Sequence, residues 1–195
     1  MTNRISINDI QYGCRIKDFF VFNPTEQVFT TEESIMTDIH TYFEIYHSIS
    51  QQLLMKFYSS RKNENIVFSP FSVLMMLAMV AEATSGNTRE EIAHVLSEGS
   101  IRYEDTLVAL KSIHNALTGT AALSSANAVC VNSKIAAFIN SSYGCHLEKL
   151  FDGELFTSSD MVSDVNNWVK KATHGMIDRI ADDSIWNMLA CLMNS

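Results

Sequence analysis

Between Asn65 and Leu96 the chain reads NIVFSPFSVLMMLAMVAEATSGNTREEIAHVL. From Phe71 to Val80 the only polar side chain is Ser72, so a helix here has no polar face. A helix that is apolar all round has to be buried on every side. Residues 71–83 are therefore expected to form the central helix of a large domain, covered by the rest of the chain. Ser69 is placed to cap this helix, and Pro70 sits at its first position, where a missing N–H costs nothing. Ile66, Val67 and Phe68 read as a short strand before it. After the turn Ser85-Gly86-Asn87, Thr88 and Glu91 have capping-box spacing for a second helix. That helix is amphipathic, with Ile92, Val95 and Leu96 facing in.

Around this stretch the pattern alternates between helix and strand. Residues 1–40 lack periodicity, apart from an apolar patch, Asp18 to Asn23, closed by Pro24. Ile45, Ile49, Leu53 and Phe57 recur every four residues and predict a helix from Thr41 to Ser60. Tyr103, Leu107, Leu110, Ile113 and Leu117 predict another over residues 103–117. Ala126 to Val131 reads as a buried strand. Lys134 to Tyr143 reads as a short helix stopped by Gly144. Cys145 to Phe151 alternates weakly, as a strand would. Asp160 to Lys171 is helical, ended by His174-Gly175. Trp186 to Met193 reads as a central strand.

With 195 residues, 47% of them hydrophobic and 18% charged, the chain can bury one substantial core. The net charge of −8 and the lack of any basic cluster larger than Arg61-Lys62 or Lys170-Lys171 argue against a nucleic-acid binder. The longest apolar block is broken by Ser72 and Glu82, too short to cross a bilayer, so no membrane partner is expected. Residues 1–9 are polar and do not resemble a signal peptide, which slightly favours an intracellular protein, with an extracellular one as the alternative. Cys14, Cys130, Cys145 and Cys191 lack metal-ligand spacing and read as reduced core thiols. The sequon Asn140-Ser141-Ser142 reads as chance. No HExxH, GxSxG, phosphate loop or GxGxxG is present. The six histidines are dispersed. Asp152 with Glu154, and Asp182 with Asp183, read as solvated turns, not acid–base pairs. Met75, Met76 and Met79 read as core packing. No catalytic residue, metal site or cofactor is predicted, and the chain is not read as an enzyme.

Three separated motifs nevertheless share one resemblance. Phe68-Ser69-Pro70, Ser72, Leu77-Ala78-Met79 and Gly86-Asn87-Thr88 resemble the opening of the serpin domain, the fold of the large serine-protease inhibitors. Ala126-Asn127, Val129 and Val131 are similar to that family's next strand. Val165-Asn166-Asn167-Trp168-Val169, then Thr173, Gly175 and Ile177, resemble its INxWVxxxTxGxI helix. Leu192-Met193-Asn194 matches the strand that follows. The resemblance covers residues 44–195, with 1–43 as an N-terminal extension.

It implies an α+β fold with helices A to F, two peripheral strands of sheet A and the start of its third. It places Ser69, Ser72 and Asn194 in the shutter, the polar cluster beneath sheet A that governs its opening. Trp168 would lie on the helix crossing that sheet, and Thr173 and Gly175 would shape its exit. The partner it implies is a serine or cysteine protease.

There are also departures. Serpins are about twice this length, and the C-terminal half, with strand 5A and the reactive loop, has no counterpart here. Suicide inhibition by these residues alone is therefore not expected. The alternative is a non-inhibitory interaction module. Glu82 stands where the family has an apolar residue, and Ala83 where it has glycine. Only Arg102 and Lys111 lie near the fourth helix, which disfavours heparin. A half-built sheet also predicts self-association or completion by a second chain.

Overall fold

The computed structural model describes residues 32–61, 64–119, 124–140 and 142–195, with side chains from His40 onward. These residues form two compact units, one ending at Ile113 and the other beginning at His114.

The first unit is helical: α1 (Glu32–Ser60), α2 (Pro70–Ala83), α3 (Gly86–Ser97) and most of α4 (Tyr103–Thr118). The Ser69 side chain accepts the Ser72 amide at 3.2 Å, and Pro70 opens α2 as expected. Leu74, Met75, Ala78, Met79 and Ala81 are buried. Phe71, Met76, Leu77 and Val80 are only half-buried, so the expected burial on every side holds for one face alone. Residues 65–68 are irregular instead of a strand, and Val67 is 97% exposed. No described strand in this unit offers them a ladder. Phe68 instead meets Phe57 edge to face at 5.1 Å.

α3 starts two residues before the expected capping box. Ser85 is its cap and makes no side-chain bond, while Gly86 takes φ +61°. Thr88 thus falls in the first turn and does not cap it. The first helix begins at Glu32, earlier than the start expected at Thr41. The apolar patch 18–24 lies outside the described residues.

The second unit is built on three strands, β1 (Asn127–Asn132), β2 (Gly153–Ser158) and β3 (Ala190–Asn194), in the order β2-β1-β3. β1 pairs parallel with β2 and antiparallel with β3. A parallel pair needs a crossover, and α5 (Tyr143–Phe151) supplies it. α6 (Met161–Ala172) connects β2 to β3. All six residues of β1 are buried, as a central strand requires.

Several expectations fail here. The helix expected over 134–143 is a single 3-10 turn, Ala136–Phe138. The strand expected over 145–151 is α5, with Gly144 inside it. Tyr143, Leu147 and Phe151 are the buried positions, and their spacing of four is helical. Asp152 is no loop partner of Glu154: it ends α5 at φ +47°, and Glu154 lies in β2. The last strand begins at Ala190, later than expected, and among the described residues it pairs with β1 alone, at the edge that the half-built sheet predicted; Trp186 instead ends a 3-10 turn, Asp183–Ile185. Cys130 and Cys191 are free, but Cys145 is disulfide-bonded, against the reading of reduced thiols throughout. Among the described residues no helix is long and apolar enough to cross a membrane.

Candidate functional site

The sheet and the helix lying on it form the best-defined site. α6 is strongly amphipathic, and Met161, Val165 and Val169 recur every four residues on its buried side. Met161 and Val165 share a core with Ala128 and Cys130 of β1, Ala181 and Met193; Phe156, Trp168, Ile185 and Cys191 pack against it. The same face of all three strands therefore lies under α6.

Polar side chains fix both ends of α6. At the start, Asp160 accepts the Ser163 amide at 3.2 Å, capping the first turn. Ser158, at the end of β2, donates to Asp164 Oδ2 at 2.6 Å and accepts the Asp160 amide at 3.0 Å. At the far end Thr173 Oγ1 donates to the Val169 carbonyl at 2.9 Å and accepts the Ile177 amide at 3.0 Å. Gly175 takes φ +82°, which a Cβ would penalise, and its amide closes on the Lys170 carbonyl at 2.8 Å.

The returning segment is then clamped by Asn166. Its Oδ1 accepts the amides of Ile180 (2.8 Å) and Ala181 (2.9 Å), and its Nδ2 donates to the Ala181 carbonyl at 2.9 Å. Asn167, the motif residue singled out from the sequence, is exposed and reaches only Ser163, at 3.5 Å. The working asparagine is its neighbour. Lys170 and Asp178 meet at 2.8 Å in solvent. That contact holds the Asp178 carboxyl below its ordinary range and the Lys170 ammonium above its own. The Ser184 side chain and amide likewise hold Asp182 down.

On the other face of the sheet, Asn127 is 1% exposed. Its Nδ2 donates to the Phe151 carbonyl at 2.7 Å, where α5 ends, and its Oδ1 accepts from Asn194 Nδ2 at 2.7 Å. The structure thus brings together two residues named from separate motifs. Periodicity carries no trace of this pair, since the two are 67 positions apart.

In the helical unit, Ser69 and Ser72 meet through the cap already described, and Gly86, Asn87 and Thr88 form the exposed first turn of α3. Glu82, flagged only as an oddity of sequence, is buried: its carboxylate accepts from Arg89 at 3.0 Å and from the Tyr103 hydroxyl at 3.1 Å. Arg89 also lies over the Tyr103 ring, 5.5 Å from its centre. Burial, with the Glu82 charge beside it, pushes the Tyr103 hydroxyl well above its ordinary range. Among the described residues no cluster of His, Cys, Asp and Glu could hold a metal ion.

A helix lying across the face of a sheet ordered β2-β1-β3 can be compared with known proteins. Residues 44–195 match the family model for serpins, the serine protease inhibitors. The chain belongs to the serpin family. Similar serpins include Iripin-2 of Ixodes ricinus, 27% identical over 68% of this chain and 36% of its own length. Alpha-1-antiproteinase of Ovis aries is 24% identical over 78% of this chain and 36% of its own. The chain spans about a third of the length of these curated relatives.

Solved serpin structures share the fold. Native protease nexin-1 with heparin superposes with a TM-score of 0.68 at 23% identity, covering 80% of this chain and 44% of that one. Thyroxine-binding globulin complexed with thyroxine gives 0.67 at 19% identity, covering 77% and 43%. The six helices and three strands described above are those of a partial serpin fold.

Proposed function

We propose that the protein is a serpin-type inhibitor of serine proteases and not a catalyst, with residues 44–195 supplying its helical half and three strands of the sheet. The reading rests on the family match over those residues and on the helix-covered sheet that accompanies it. In this reading Ser69, Ser72 and Asn194 act in sheet opening. The bond from Asn194 to the buried Asn127 supports a role for Asn194, because a strand leaving β1 has to break it. In this reading the reactive loop that the family resemblance assigns to protease capture lies outside these 195 residues, which then do not trap a protease by themselves.

The test is incubation with a panel of serine and cysteine proteases, followed by denaturing electrophoresis. No SDS-stable adduct is expected from the 195 residues, and one is expected from a chain continued through the reading frame downstream of Ser195. An adduct from the 195 residues overturns the placing of protease contact elsewhere. A continued chain that only acts as a substrate overturns inhibition.

One observation favours a second reading, a non-inhibitory interaction module. β3 is an edge among the described residues, and Trp186, Met188 and Leu189 beside it are 58%, 45% and 60% exposed. Such an edge can add a partner strand. A stop codon directly after Ser195, with partner binding lost on charging Leu189, would select it.

A further inference from the structure

We propose that Cys130 and Cys191 form a redox-switchable disulfide that ties edge strand β3 to central strand β1. The two are direct partners in the antiparallel register. Ala126 and Ser195 exchange both backbone hydrogen bonds, at 3.1 and 3.0 Å, and the Asn132 amide donates to the Leu189 carbonyl at 2.8 Å. Stepping two residues at a time between these points makes 130/191 a hydrogen-bonded pair. In such a pair the Cα atoms lie about 5.5 Å apart. That is inside the range of about 4.4–6.8 Å a disulfide spans, while the Cβ atoms of such a pair, about 5.5 Å apart, have to draw in to about 4.5 Å for the bond to close.

Directly opposed side chains share a face, and both cysteines belong to the same core beneath α6. Both are free thiols. Cys130 is fully buried and touches the Met161 sulfur at 3.5 Å, while Cys191 is half-buried on the outer strand. Cys191 is therefore the sulfur an oxidant reaches first, and Cys130 the one that resolves. Burial pushes both thiols up, Cys130 to about 12, so both rest protonated and the order of reaction is set by access, Cys191 being the less buried.

The oxidant is a small-molecule disulfide such as oxidised glutathione. The Cys191 thiolate attacks one of its sulfurs, forming a mixed disulfide and releasing one glutathione thiolate. Cys130 loses its proton and displaces the second glutathione thiolate as the Cys130–Cys191 bond forms. Two protein thiols become one S–S bond, and the two protons leave with two molecules of reduced glutathione. The crosslink would join positions far apart in the chain across the sheet, so β3 could no longer separate from β1. The proposal does not depend on the inhibitory reading.

The test is to incubate the folded full-length chain with oxidised glutathione, unfold it under acid quench, alkylate it and map peptides. The expected result is loss of alkylation at both cysteines, a Cys130–Cys191 crosslinked peptide lighter by two hydrogens than the thiol pair, and reversal by dithiothreitol. Amide exchange across Ala190–Asn194 is expected to slow in the oxidised form. C130S, or C130A should the serine variant not fold, is expected to hold glutathione on Cys191. C191S is expected to leave Cys130 unmodified. Full alkylation of both thiols after oxidation overturns the proposal. So does a glutathione adduct that persists on Cys191 in the unsubstituted chain, or the absence of any adduct in the Cys130 variants.

Discussion

Replacing Asn127 removes more than its size suggests. The side chain makes two hydrogen bonds of 2.7 Å, one to the Phe151 carbonyl and one from Asn194. Asn127→Ala loses both and leaves the Phe151 carbonyl without this donor at a buried helix end. A net of about 1 kcal/mol per bond, plus about 1–2 kcal/mol for the stranded acceptor, gives a cost of about 3–4 kcal/mol. Asn194→Ala loses one bond and leaves the buried Asn127 Oδ1 unmatched, which on the same reckoning costs about 2–3 kcal/mol. The double variant loses the shared bond once and strands no Oδ1, so it is expected to be less destabilised than the sum by about 2–3 kcal/mol.

Asn127→Asp separates the donor from the acceptor role. A carboxylate still accepts from Asn194 but points a second oxygen at the Phe151 carbonyl. Only the protonated acid can donate there, so its folded pKa is raised and the variant is expected to lose stability as pH rises through that value. Guanidinium unfolding followed by tryptophan fluorescence, to which Trp168 on the opposite face of the sheet contributes, reads the loss of the folded unit. An Asn127→Ala variant within about 0.5 kcal/mol of the parent, or an additive cycle, would refute the reasoning.

Three other outcomes are expected. Asn166→Ala loses three bonds to residues 180–181 and should cost about 2–3 kcal/mol, while Asn167→Ala, one residue on and exposed, should stay within about 0.5 kcal/mol; equal effects in denaturant melts would undo the assignment. Glu82→Leu should cost only about 1 kcal/mol, because Arg89 is 43% exposed and can turn to water and the loss is that of the Tyr103 hydroxyl's acceptor, whereas Arg89→Met leaves a 3%-exposed carboxylate short of its cation and should be the more damaging change in the same melts. Asp178 has its folded pKa depressed by Lys170, so the contact is present above the unfolded carboxyl value and fades as pH falls through the folded one; in an NMR titration Lys170→Met should return Asp178 to its ordinary range.

What could be read from the chain follows from how local each signal is. Ser69-Pro70 and the four-residue spacing in α6 act within one or two turns, and both helices form where they were expected. CHLEKLF is too short to separate a period of two from one of four, and it became α5 once Tyr143, Leu147 and Phe151 found one buried side. Residues 65–68 carry strand-forming side chains but have no described ladder partner, and propensity alone does not make a strand. The site was half legible. Thr173, Gly175, Asn194 and Asn127 could be named from motifs, but the bond joining the last two could not. Glu82 could be marked as odd, yet its partners lie on later helices.

Several of the polar contacts in the second unit hold the ends of elements or the segments that leave them. Ser158 and Asp160 hold the start of α6, Thr173 its end, Asn166 the segment returning from it, and Asn127 the joint of β1 with α5 and β3. Side chains spent on ends leave the middle of the sheet to apolar packing and the backbone ladder. That makes the strands unequal. β1 has a ladder on both sides and is buried throughout, whereas among the described residues β3 has one ladder and only Met193 of it is fully buried. α6 and residues 173–181 are bound as one piece by at least six polar contacts, so they should open together. β3 depends on β1 and on the Asn194 bond, and it should be the first strand to release. Hydrogen exchange that showed β1 opening before residues 190–194 would contradict this order.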